Sequence, residues 1–115
     1  MTFSVSNVER DGGGACLRLA GELDMSTSPE LSAAIDRLIA AGESRVLLDL
    51  ADLTFCDSTG MAVFVRGDNQ AAVDGGWLRL VGANGRVERV LRMTGLADVL
   101  RYEPESVDPA SRTAS

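Results

Sequence analysis

Hydrophobic positions recur with two different periods along the chain, and each change of period marks a predicted element. Residues 3–8 and 15–23 alternate roughly residue by residue and predict two strands, joined by a glycine turn at residues 11–14. Residues 45–50 are almost continuously aliphatic, as in a central strand that is covered on both faces. Residues 77–81 predict one more strand. We expect the first two strands to form a β-hairpin.

The segment after the hairpin predicts a helix, because its apolar positions from 31 to 39 repeat at i, i+3, i+4, i+7 and i+8. Thr27 and Ser28 both fit the N-cap position. A capping box starts at Thr27, whereas a proline at the first helical position follows Ser28. The pattern leaves this choice open. Gly42 stands where a C′ glycine ends a helix.

Two more helices are predicted downstream. The first begins after residues 57–60 and ends at residues 74–76. Its inward positions are expected to be Met61, Phe64, Val65 and Ala72. The second is capped by Asn84 and ends at Gly95, a C′ glycine that is followed by an apolar residue.

The order of these elements predicts the fold class. Strands separated by helices need right-handed crossovers, so we expect an α/β domain with a mixed sheet of four to five strands. An antiparallel hairpin and parallel β-α-β units build this sheet, three to four helices cover it, and residues 99–102 are the optional fifth strand. The domain is expected to span residues 1–102. Residues 103–115 are expected to be a flexible tail, removable after Tyr102 without loss of stability, because they hold two prolines and one clearly aliphatic side chain.

Composition excludes several kinds of chemistry. The 115-residue chain has 17 acidic residues, 11 basic residues that are all arginine, and no histidine, which gives a net charge of −6. Without histidine there is no Ser-His-Asp or Cys-His pair and little prospect of a transition-metal site, and without lysine there is no P-loop lysine or Schiff base. An acidic domain also suits neither nucleic acid nor anionic membranes. We therefore expect no catalytic residue, metal ion, other cofactor, nucleic acid or membrane partner.

The location of the protein is predicted from what the chain lacks. It contains no apolar run typical of a secretory signal or of a membrane-spanning helix. Cys16 and Cys56 are far apart and are expected to be free, buried thiols. These features predict a cytoplasmic protein.

One polar segment lies between a buried strand and a helix. Asp57, Ser58, Thr59 and Gly60 form the predicted turn from the third strand into the second helix. In α/β domains such turns lie at the carboxyl edge of the sheet, where ligands and partners bind. The loop of residues 21–27 follows another strand and should reach the same edge. By local rules alone the turn is also compatible with an ordinary helix cap, because aspartate and serine are common N-caps.

These residues resemble the STAS family (sulphate transporter and anti-sigma-factor antagonist), and in particular its stand-alone bacterial antagonists. The resemblance is carried by Gly21-Glu-Leu-Asp24, Val46-Leu-Leu-Asp-Leu50 and Asp57-Ser-Thr-Gly60, and it covers residues 3–102. The Asp-Ser-Thr-Gly sequence after an aliphatic strand is the most specific of these signals.

The resemblance implies an anti-sigma-factor antagonist that is switched by phosphorylation. Ser58 would be phosphorylated by a serine kinase that is also the anti-sigma factor, and a serine phosphatase would remove the phosphate. The unmodified protein would bind the kinase and free the sigma factor, whereas the phosphorylated protein would be released. The other expected switch and partner-binding residues are Gly21, Asp24, Asp57, Thr59, Gly60 and Met61. Backbone N–H groups at the helix start are expected to be unpaired and able to hold the phosphate.

Other functions fit the sequence less well. An enzyme that uses Asp24 and Asp57 as an acid/base pair would lack a nucleophile activator. A phospho-aspartate receiver domain needs a lysine, which this chain does not have. The alternative is a STAS scaffold that phosphorylation does not regulate, in a signalling complex or beside a lipid transporter, although the Ser58 hydroxyl argues against it. Because Pro104 and Pro109 break the family's usual C-terminal helix, a weak homodimer is also expected.

Overall fold

The computed structural model describes residues 3–8 and 14–104, which form four strands and four helices. In chain order these are β1 (Phe3–Val8), β2 (Ala15–Leu23), α1 (Ser28–Ala40), β3 (Arg45–Cys56), α2 (Ser58–Val73), β4 (Trp77–Val81), α3 (Gly85–Thr94) and α4 (Leu96–Val99). The strands are hydrogen-bonded in the order β1-β2-β3-β4. β1 is antiparallel to β2, whereas β2-β3 and β3-β4 are parallel. The predicted α/β fold with a mixed sheet is confirmed.

The hairpin and the central strand differ from the prediction only in detail. The glycine turn predicted at residues 11–14 lies, apart from Gly14, outside the described residues. β3 is longer than the aliphatic run of residues 45–50, because apolar side chains at Leu53 and Cys56 remain buried as it continues beside β2. The two strands pair through two register shifts, and the second of these falls between Gly21 and Glu22.

Among the described residues the sheet has four strands, and the optional fifth strand at residues 99–102 does not form. Gly95 ends α3 in the left-handed region with a φ of +82°, and α4 begins immediately after it. Ala97 and Leu100 are both buried, which is the i, i+3 spacing of a helix rather than the alternation of a strand. Beyond α4, Glu103 forms a single parallel bridge to Val81.

The buried face of α2 is also partly different from the prediction. Phe64 is buried and Met61 and Val65 are partly buried, but Ala72 is exposed. The buried positions of the helix are Gly60, Val63, Phe64, Gly67 and Ala71. The prediction assigned the inward face to apolar side chains, whereas two glycines also contribute to it because the helix lies close to its neighbours.

The core consists of a large cluster between the sheet and the helices and a smaller cluster made by the strands alone. Cys16 belongs to the small cluster and Cys56 to the large one, and both are free and buried, as expected. Burial is the main cause, and the charge of Asp57 the second, that raises the pKa of the Cys56 thiol to about 12.

In the described part of the chain, no helix has the length and apolar character needed to cross a membrane.

Candidate functional site

The carboxyl ends of β2 and β3 meet at the residues that the sequence singled out. Leu23 at the end of β2 pairs with Cys56 at the end of β3, and the Asp57 N–H donates to the Leu23 carbonyl at 3.2 Å. Asp24 and Asp57 are therefore the first residues beyond two neighbouring parallel strands. Ser58 follows as the exposed first residue of α2. The sheet thus brings both loops to one edge, as predicted.

Asp57 is the N-cap of α2, and one of its carboxylate oxygens accepts hydrogen bonds from both Thr59 and Gly60. Its Oδ1 accepts hydrogen bonds from the Thr59 N–H at 2.9 Å, the Gly60 N–H at 3.2 Å and the Thr59 hydroxyl at 2.6 Å. The expectation that the N–H groups at the helix start are unpaired is therefore wrong for Thr59 and Gly60. The cap explains this, because an N-cap carboxylate satisfies the donors that a phosphate would otherwise use.

The Asp24 carboxylate makes its hydrogen bonds within its own loop. Its Oδ1 accepts from the Ser26 hydroxyl at 2.7 Å, the Ser26 N–H at 2.9 Å and the Thr27 N–H at 3.2 Å. The Ser26 hydroxyl is the main reason why the pKa of the Asp24 carboxyl is lowered. Desolvation opposes it, and the Ser26 and Thr27 N–H groups and the Thr27 hydroxyl lower the pKa further. The Asp24 carboxyl is therefore ionised at neutral pH, and its hydrogen bonds tie the start of the loop to Ser26 and Thr27.

The structure decides between the two N-cap candidates of α1. Thr27 is the N-cap by position, but its hydroxyl makes no cap hydrogen bond, so the predicted capping box does not form. Instead, that hydroxyl donates to the Glu22 carbonyl at 2.8 Å and accepts from the Asp24 N–H at 2.9 Å. Ser26 and Thr27 are thus site residues that were not singled out for this role. An aspartate followed by a serine and a threonine at two and three residues is the signal for such a turn.

The remaining predicted site residues lie beneath or beside the edge. Gly60 is buried, and a Cβ added there would lie 2.7 Å from Leu23 side-chain atoms. Met61 is half-buried against the large core cluster. Gly21 lies within β2 with a φ of +95°, and its carbonyl accepts the Thr54 hydroxyl at 3.0 Å. These three positions shape the scaffold that carries the exposed residues.

Two exposed apolar side chains that the sequence did not single out flank the edge. Met25 follows Asp24 and is 74% exposed, and Phe55 precedes Cys56 and is 42% exposed. Methionine and aromatic side chains are common contact residues at protein interfaces. They make this edge suitable for a protein partner.

A groove runs beside Ser58 between α1 and α2. Its volume is about 520 Å³, and Thr59, Ser32 and Arg66 are among its lining residues. The Arg66 guanidinium donates to the Ser32 hydroxyl at 2.6 Å across it. Among residues 3–8 and 14–104, no cluster of three or more histidine, cysteine or acidic side chains could hold a metal ion.

The fold and the site define a STAS-type α/β domain, with an Asp-Ser-Thr-Gly turn at the carboxyl edge of its sheet. The sequence profile described as "Mlab, STAS domain" matches residues 6–102, so the chain belongs to the STAS family.

The relatives of the chain include named regulatory proteins. It is 33% identical over 104 residues to the anti-sigma-B factor antagonist of Listeria monocytogenes, and the match covers 90% of each chain. An anti-sigma factor antagonist from Mycobacterium paratuberculosis superimposes with a TM-score of 0.81 at 25% identity, covering 97% of this chain and 93% of the other. The Bacillus cell fate determinant SpoIIAA in its phosphorylated form shares the fold, with a TM-score of 0.66 at 22% identity over 99% and 100% of the two chains.

Proposed function

We propose that this chain is an anti-sigma factor antagonist whose binding to its anti-sigma factor is controlled by phosphorylation of Ser58. The observation that carries the proposal is the position of Ser58. It is exposed at the first residue of α2, and its hydroxyl makes no hydrogen bond to any other residue that the structure describes. The names of the relatives support the class of function, and SpoIIAA has a phosphorylated form.

The electrostatics of the edge support a local switch. A phosphate would add a charge of about −1.5 to −2 at neutral pH next to Asp57 and on the edge that carries Asp24. Two like charges about 6 Å apart repel by roughly 0.7 kcal/mol in bulk water and by roughly 3 kcal/mol near a protein surface, where the effective dielectric constant is lower. Because about 1.4 kcal/mol changes an affinity tenfold, repulsion on this scale is enough to weaken binding in a desolvated interface.

The cap geometry indicates where the phosphate would lie. The Thr59 and Gly60 N–H groups already bind Asp57, so a phosphate on Ser58 would not gain them without displacing the cap. The phosphate would instead project outward from the exposed first turn of α2, at the surface that the partner would cover. The proposed release is therefore caused by charge and bulk at the edge, with the fold unchanged.

The proposed partners are a serine kinase that is also the anti-sigma factor and a serine phosphatase that acts on phosphorylated Ser58. Met25 and Phe55 would supply apolar contacts to the kinase, and the hydrogen bonds of Asp24 to Ser26 and Thr27 would order the loop that carries Met25. This role needs no catalytic residue in the chain itself.

The test is to compare Ser58→Ala with the wild-type protein on the anti-sigma factor kinase encoded by the same genome. Both should bind without ATP, because loss of an exposed hydroxyl at the helix start costs at most about 1 kcal/mol of stability. After ATP is added, the wild type should dissociate and Ser58→Ala should stay bound, as followed by surface plasmon resonance.

A matched control is Ser6→Ala, which removes another exposed serine hydroxyl, on β1. It should dissociate at the wild-type rate. ATP-driven release of Ser58→Ala at that same rate would rule out Ser58 as the regulated residue. A wild-type protein that binds the kinase but takes up no phosphate would support the unregulated scaffold instead.

A further inference from the structure

The two neighbouring hydroxyls at the start of α2 have different surroundings. Ser58 is exposed, and its hydroxyl has no hydrogen-bond partner in the described part of the chain. Thr59 is half-buried and lines the groove between α1 and α2, whereas Ser58 does not line that groove. The Thr59 hydroxyl donates to Asp57 Oδ1 at 2.6 Å. A kinase that approaches this turn therefore meets one free hydroxyl and one that is held.

The hydrogen bond that holds Thr59 is of the strong type. An O–H donor bound to an ionised carboxylate at this distance is charge-assisted and stronger than a neutral hydrogen bond. The acceptor is itself fixed, because the same Oδ1 accepts the Thr59 and Gly60 backbone N–H groups. Movement of the Thr59 hydroxyl away from Asp57 would therefore break a contact within a three-donor cap.

We propose that Asp57 selects between the two hydroxyls and makes Ser58 the single phosphate acceptor, an inference that rests on the proposed phosphorylation of this turn. In the transfer, Ser58 Oγ forms a bond to the γ-phosphorus of a nucleoside triphosphate, and the bond from that phosphorus to the bridging oxygen breaks. The diphosphate leaves, and the hydroxyl proton passes to a base of the kinase. Asp57 is a positioning residue in this step, because it acts by restraining Thr59.

The test uses variants that separate the cap from the carboxylate charge. Asp57→Asn keeps an oxygen that can accept from Thr59, whereas Asp57→Ala removes the acceptor. Each is combined with Ser58→Ala and incubated with the same-genome kinase and ATP, and the modified residue is located by mass spectrometry. In Ser58→Ala and in Ser58→Ala/Asp57→Asn, Thr59 should stay unmodified. In Ser58→Ala/Asp57→Ala, phosphate on Thr59 should rise about tenfold or more, the factor expected for releasing a hydroxyl from a charge-assisted hydrogen bond.

A measurement without the kinase covers the case in which the double variant folds poorly or is no longer recognised. The Thr59 hydroxyl proton should exchange slowly with water in the wild type, detectably by NMR, and quickly in Asp57→Ala. Fast exchange in the wild type would overturn the selection by Asp57, as would phosphate on Thr59 in the wild type or in Ser58→Ala. Phosphate on no residue of the wild type would instead overturn the proposed phosphorylation itself, and the selection with it.

Discussion

Asp24 and Asp57 occupy equivalent positions, each directly after one of two parallel strands, but their carboxylates have different roles. Asp57 caps α2 through the N–H groups of the first helical turn. Asp24 instead accepts hydrogen bonds from the Ser26 and Thr27 N–H groups, and α1 has no side-chain cap. Single-residue variants of Asp24 can therefore distinguish two contributions to partner binding, the ordering of the residue 24–27 loop and the negative charge at the edge of the sheet.

For Asp24 we predict that substitution by alanine is more harmful than substitution by asparagine. Asp24→Asn retains an oxygen for the Ser26 and Thr27 N–H groups, whereas Asp24→Ala leaves them without it. Asp24→Ala should therefore lower the melting temperature and the kinase affinity more than Asp24→Asn does. Melting curves and titration calorimetry measure the two effects, and equal losses of affinity in both variants would show that the charge, not the loop, is what the partner needs.

The stabilising effect of the Asp24 charge should depend on pH. Its folded-state pKa lies below the ordinary value of 3.8, so ionisation favours the folded protein above that value. The advantage of the wild type over Asp24→Asn should be complete at neutral pH and should disappear as the pH falls through the folded-state pKa. Ser26→Ala is the control, because loss of the main hydrogen bond should move the pKa back towards 3.8 in an NMR titration.

At the scale of elements, the first turn of α2 is fixed by its close approach to the ends of β2 and β3. Gly60 faces the Leu23 side chain, which is completely buried, and the Cys56 sulfur. A buried side chain cannot move aside as an exposed one does, so the space at Gly60 is set by the core. The position of Ser58 relative to the sheet depends on this contact.

Gly60→Ala should therefore destabilise the protein. The added Cβ would lie 2.7 Å from Leu23 and 3.0 Å from the Cys56 sulfur, and such overpacking costs typically about 1 to 3 kcal/mol, reduced by up to about 1 kcal/mol of helix propensity. Gly85→Ala is the matched control, because Gly85 opens α3 and a Cβ there has no neighbour within 4 Å. Chemical denaturation should show a loss for Gly60→Ala and none for Gly85→Ala. Equal stability of the two variants would mean that α2 can shift freely.

At the scale of the whole molecule, the last described residues are attached to the domain at several points. The Tyr102 hydroxyl donates to Glu88 at 2.8 Å. The Glu103 N–H donates to the Leu80 carbonyl at 3.0 Å, and the Gly82 N–H donates to the Glu103 carbonyl at 2.9 Å. The sequence places Glu103 in the tail, whereas these hydrogen bonds join it to the edge of the sheet. We propose that the domain extends through Pro104.

Two truncations that differ by two residues test this boundary. A chain that ends at Pro104 keeps both Glu103 hydrogen bonds, whereas one that ends at Tyr102 loses them, at about 0.5 to 1.5 kcal/mol each. The shorter chain should therefore melt several degrees lower. Comparison of the chain that ends at Pro104 with the full chain tests whether residues 105–115 are dispensable for stability. Their composition predicts that they are. Equal melting temperatures for the two truncated chains would place the boundary at Tyr102.

The sequence by itself determined the elements from β1 to α3 and their order, because these depend on local patterns, whereas α4 was not predicted. Hydrophobic alternation identified the hairpin, a continuous aliphatic run identified β3, and Asn84 and Gly95 marked the ends of α3. The site was also predictable in outline, since an Asp-Ser-Thr-Gly turn after a buried parallel strand must lie at the carboxyl edge of the sheet.

Only the tertiary structure decided which partner each polar group takes and which positions lie inside. The Thr27 hydroxyl binds the Glu22 carbonyl instead of capping α1, because the strand end brings that oxygen within 2.8 Å. Gly60 is buried because the ends of two strands meet beneath it. The hydrophobic period of the helix does not reveal this contact. Hydrogen-bond partners and close approaches depend on residues distant in sequence, whereas hydrophobic period, turns and caps depend on neighbours. For that reason the fold was predictable from the chain, and the state of the hydroxyls at its functional edge was not.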